Sequence, residues 1–140
     1  MKATIKTSLK ALGLTAALMG ATSVSYADMG VKASDQSVSG GTVSADMISA
    51  ESNGWMVVHR TDASMKPGPV VGYAPIKKGD NQDVTAILTE PVKPGDMLML
   101  MVHGEAGGMK TGVFEYTLGA KEDGPVKPDG KLVMHVIKAM

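Results

Sequence analysis

Residues 97–103 read Met97-Leu98-Met99-Leu100-Met101-Val102-His103. Leu, Met and Val in unbroken succession, entered from the turn residues Pro94-Gly95-Asp96, predict a β-strand. Side chains alternate across a strand, so Met97, Met99, Met101 and His103 share one face, and Leu98, Leu100 and Val102 the other. The second row is the more uniformly apolar and is expected to face the core. The first row then needs an explanation of its own, because three thioethers and an imidazole are ligand types favoured by Cu(I). It can also be packing, since flexible Met fills irregular gaps in cores. With 12 Met, one Trp, one Phe and no Cys in 140 residues, either use is open to this chain.

Outward from this strand, short β-type runs alternate with Gly, Pro, Asn and Asp. The runs are 31–38, 42–49, 55–60, 70–76, 83–89, 97–103, 113–118 and 132–138. No segment after residue 27 has a convincing helical period, which removes the βαβ alternative. Strands at such short spacing predict an all-β fold. The expectation is a single antiparallel β-sandwich of seven or eight strands, immunoglobulin-like or cupredoxin-like in outline. Without Cys it lacks the disulfide of true immunoglobulin domains.

Residues 1–27 read as a signal peptide. Lys2, Lys6 and Lys10 precede an apolar run from Ala11 to about Val24, and Ser25-Tyr26-Ala27 offers small residues for cleavage before Asp28. A periplasmic or secreted domain spanning 28–140 is expected, with no membrane insertion once the leader is removed. Three of the 14 basic residues lie in that leader, which leaves 11 against 14 acidic ones. Mild acidity argues against nucleic acid as a partner.

The order of several segments resembles an uncharacterised β-sandwich family of exported bacterial and archaeal proteins, a domain of unknown function. The segments are Gly54-Trp55-Met56-Val57-Val58-His59, Val71-Gly72-Tyr73, Asp83-Val84-Thr85, Met99-Leu100-Met101-Val102-His103, Gly112-Val113-Phe114-Glu115-Tyr116 and Asp123-Gly124-Pro125-Val126. Together they span roughly Val31 to Ile137. The resemblance implies a fold and an exported location and brings no established catalytic activity.

The candidate metal ligands are Met99, Met101, His103, Met109 and His59. Met109 follows His103 in the loop 104–109, and His59 ends the hydrophobic run 55–58, as His103 ends its own. Two such strands in register are expected to place both histidines near one end of the fold, where binding sites gather. Trp55 is a candidate cap over the ion if its strand lies beside 97–103. His135 reads instead as a core or boundary residue. The absence of Cys excludes blue-copper, iron–sulfur and Cys-type zinc sites. No H-E-x-x-H, G-x-S-x-G, EF-hand or phosphate-loop pattern occurs. Carboxylates such as Asp80, Asp83, Asp96, Asp123 and Asp129 read as turn formers.

No enzyme activity, and no cofactor besides Cu(I), is expected. Two functions remain. One is a small exported binding protein that holds Cu(I) or Ag(I) through Met and His, for sequestration or hand-off. The other is a structural or interaction domain that binds a protein or glycan, with Met as core filler.

Overall fold

The computed structural model describes residues 29–140, so the expected signal peptide lies outside the described residues. Seven strands form: β1 (Gly30–Lys32), β2 (Thr42–Ala50), β3 (Gly54–Thr61), β4 (Val70–Ile76), β5 (Gly79–Leu88), β6 (Met97–Gly104) and β7 (Met134–Lys138). A single 3₁₀ turn, Pro128–Gly130, is the one helical element among the described residues. No helix there is long and apolar enough to cross a membrane.

All seven strands are hydrogen-bonded in one antiparallel sheet, in the order β1-β2-β5-β4-β3-β6-β7. The all-β class and the antiparallel pairing are as expected. The division into two facing sheets is not what the hydrogen bonds describe, because the single sheet curls until its two ends nearly meet. Gln36, just after β1, pairs with Ala139, just after β7, in an isolated parallel bridge.

Alternation decides what lies inside. Met56 and Val58 of β3, Leu98, Leu100 and Val102 of β6, and Val43, Ala45 and Ala86 of β2 and β5 are buried in one continuous core. The uniformly apolar row of 97–103 is therefore the core row. Two runs differ from expectation. The first shrinks to the three residues of β1. Residues 113–118 form no strand: the Glu115 N–H goes to the Asp123 carboxylate, not to a neighbouring strand. Two aromatic residues one apart in extended backbone give the same alternating pattern whether or not a ladder forms.

Candidate functional site: a buried histidine pair

β3 and β6 are neighbours, with Trp55 opposite His103, Val57 opposite Met101 and His59 opposite Met99. These six residues share the face turned away from the core, and every one of them is buried. Over Trp55, His59 and His103 lies the irregular segment 105–126. Its Phe114 packs against Trp55 at 5.4 Å between ring centroids and stacks on Tyr73 at 4.4 Å. Its Tyr116 stands edge-on to His103 at 4.5 Å and to His59 at 5.9 Å. All aromatic residues among the described residues, Trp55, Tyr73, Phe114 and Tyr116, thus gather on this one face.

His59 and His103 are not at the same end of the sheet, as equal strand ends had suggested. Antiparallel pairing puts His59 opposite Met99, four residues from His103 along β6 and roughly 13 Å away at strand spacing. The rings nevertheless lean toward each other across the face and meet, with their Nε2 atoms 3.2 Å apart. The Val57–Met101 pair lies between them in the register. The register of β3 against β4 shifts between Val58 and His59.

Each ring is pinned from behind. His59 Nδ1 donates to the Gly68 carbonyl at 2.8 Å, and His103 Nδ1 donates to the Asp123 carbonyl at 2.6 Å. Two glycines allow the close packing. A Cβ on Gly68 would lie 2.7 Å from the Arg60 carbonyl oxygen, and one on Gly54 would overlap the carbonyl oxygen of His103.

These partners fix the protons. A carbonyl oxygen only accepts, so both Nδ1 atoms carry hydrogen. A neutral imidazole carries one hydrogen, which leaves both Nε2 atoms bare. Burial keeps the rings neutral. It pulls His103 down to about 4, against the Asp123 carbonyl, which favours the cation, and with help from His59 beside it. Burial likewise lowers His59, against its bond to Gly68. At neutral pH two lone pairs therefore face each other in a dry site, an arrangement that a shared proton or a Lewis acid would relieve.

The remaining expectations divide. Met99 and Met101 are fully buried on the histidine face, and Trp55 lies directly opposite His103, so the adjacency its capping role required is present. The Trp55 indole N–H has no hydrogen-bond partner, alone among buried side-chain polar groups of the described residues. Met109 does not join the cluster: it is 92% exposed, because adjacency in sequence to His103 does not carry the loop back onto the sheet. His135 is exposed and is not a core residue. Among the described residues, no three His, Asp or Glu side chains converge. An ion held here would have two imidazoles and would draw further donors from thioether sulfur or from outside the chain.

Asp123, read above as a turn former, is fully buried. Its carboxylate accepts the N–H groups of Ala106 and Glu115, while its own N–H donates to the Ala106 carbonyl. Asp-Gly is a common turn signal, and nothing local marks such a carboxylate as buried. The i, i+2 spacing of Phe114 and Tyr116 did carry a usable signal, since it puts both rings on one side.

Fold and site together define a small all-β domain with a buried, doubly pinned histidine pair under an irregular cover. The chain belongs to the family described as domain of unknown function DUF7282, whose model matches residues 29–139. No curated protein and no solved structure matches it.

Proposed function

We propose that the protein is a small exported binding protein that holds a soft monovalent ion, Cu(I) or Ag(I), for sequestration or hand-off. His59 and His103 are the nitrogen ligands, and the sulfur candidates are Met101, between them in the register, and Met99, directly opposite His59. The observation that carries this reading is the pair of bare Nε2 atoms 3.2 Å apart, each ring held by a carbonyl at its other nitrogen. Metal-binding histidines are typically oriented in this way by a bond from the second ring nitrogen. An ion about 2.0 Å from each nitrogen at a tetrahedral angle separates them by roughly 3.3 Å, close to the spacing present. A linear ion would need roughly 4 Å.

The ligand set also favours a soft, singly charged ion. Imidazole and thioether are neutral, and a lower charge costs less to bury. The nearby carboxylate of Asp123 is occupied by two backbone N–H groups. Within this reading the curled sheet is a sandwich-like scaffold of the immunoglobulin or cupredoxin kind, with the site on one sheet face under a loop. The export expected from residues 1–27 suits the chemistry, because thioethers stay usable in oxidising compartments where thiols do not.

The test is an anaerobic competition for Cu(I) between the purified protein and a chromophoric chelator. Wild-type protein should take up one ion per chain. His59→Asn and His103→Asn should each abolish uptake while keeping the β-sheet circular dichroism. Met101→Leu should weaken binding by roughly tenfold or more. A folded wild-type protein that takes up no Cu(I) refutes the proposal and leaves an interaction domain with Met as packing.

A further inference from the structure

If the proposed function holds, an ion has to reach the two histidines from solvent. Both imidazoles have no accessible surface, so some group must move before an ion can enter or leave. On one side lies the sheet. β3 is bonded along its length to β4 and β6, and its opposite face is packed into the core through Met56 and Val58. Opening it would unfold the molecule.

On the other side lies the segment 105–126, which has no ladder of its own. Its two ends are tied firmly: the Gly104 N–H donates to the Gly124 carbonyl and the Val126 N–H to the Val102 carbonyl. Between those ends, Phe114 and Tyr116 cover the histidines. Among the described residues, the backbone of 114–116 is tied down by one hydrogen bond, from the Glu115 N–H to the Asp123 carboxylate at 2.8 Å. The other carboxylate oxygen holds the Ala106 N–H at 3.2 Å, and the Asp123 carbonyl holds His103 Nδ1. One residue thus fastens the cover and orients a ligand.

We infer that residues 105–126 are the gate of the ion site and that Asp123 is its latch, a positioning residue that couples opening of the cover to the orientation of His103. The ion leaves when the Glu115 bond to Asp123 breaks and the Tyr116 ring lifts off the imidazoles. Asp123 sits at φ +45°, a left-handed conformation that Asn and Gly also accept. Asp123→Gly therefore removes the latch with the backbone course kept, whereas Asp123→Asn keeps one acceptor oxygen for the two N–H groups and only weakens it.

The test measures transfer of Cu(I) from loaded protein to excess chelator by stopped flow, beside amide hydrogen exchange on the ion-free protein. Both variants should still load one ion; Asp123→Gly should release it roughly tenfold or more faster than wild type, and Asp123→Asn faster by a smaller factor. Exchange at Ala106 and Glu115 should accelerate while exchange in β3 and β6 stays as in wild type. Unchanged release in both variants overturns the gate alone. So does exchange that accelerates equally in β3 and β6, which would mean global loosening. Failure of the wild-type protein to load overturns the proposed function, and the gate with it.

Discussion

At the residue scale, the histidine pair makes the ion-free protein sensitive to acid. An unfolded chain binds a proton at His103 near pH 6.5, whereas the folded chain resists until about pH 4. Between those values the unfolded state holds more protons, so stability is fully present above about 6.5 and declines as pH falls through 4. A gap of this size corresponds to roughly 3 kcal/mol, and the lowered His59 acts in the same direction. Urea denaturation from pH 7 to pH 4 should show that loss, and His103→Gln should flatten it. A wild-type stability that stays level over this range would contradict the buried neutral pair. The ligand types were legible in the sequence, but their meeting was not. It depends on two rings leaning across the Val57–Met101 pair, and no spacing rule encodes that.

At the element scale, β3 and β6 carry both the core and the site on opposite faces. The row Leu98, Leu100 and Val102 was legible as core because it is uniformly apolar. The Met row was legible as something else, and Met99 and Met101 are buried on the face that carries the histidines. The segment 113–118 was misread as a strand, because alternation reports which side chains share a face and says nothing about backbone partners. Met109 was misread because the loop after His103 turns it to solvent. The tight seam between the two strands gives a prediction. Gly54 faces Gly104 across the ladder, and a Cβ there would overlap the His103 carbonyl oxygen, a backbone atom that cannot rotate away. Gly54→Ala should cost on the order of 2 kcal/mol, measured by urea denaturation, and should weaken ion uptake by displacing His103. A variant as stable as wild type would show that the strands are not so close.

At the scale of the whole molecule, one curled sheet has to hold its ends together without a disulfide. Gln36 serves as the clasp. Its side chain exchanges hydrogen bonds with the Ser44 backbone of β2, and its own backbone bonds to Lys138 at the end of β7 and to Met140 just after it. With the sheet closed in this way, the core occupies the inside and the sole aromatic cluster of the described residues the outside, so the histidine site is built on the most firmly paired strands. The direct test of that site is long-range ¹⁵N–¹H correlation of the imidazole nitrogens of His59 and His103 in ion-free protein at pH 7, repeated after one equivalent of Cu(I). Both rings should be neutral with hydrogen on Nδ1, and the two Nε2 resonances should shift together when the ion is added. A cationic ring or hydrogen on either Nε2 in the ion-free protein, or Nε2 resonances indifferent to Cu(I), would contradict it.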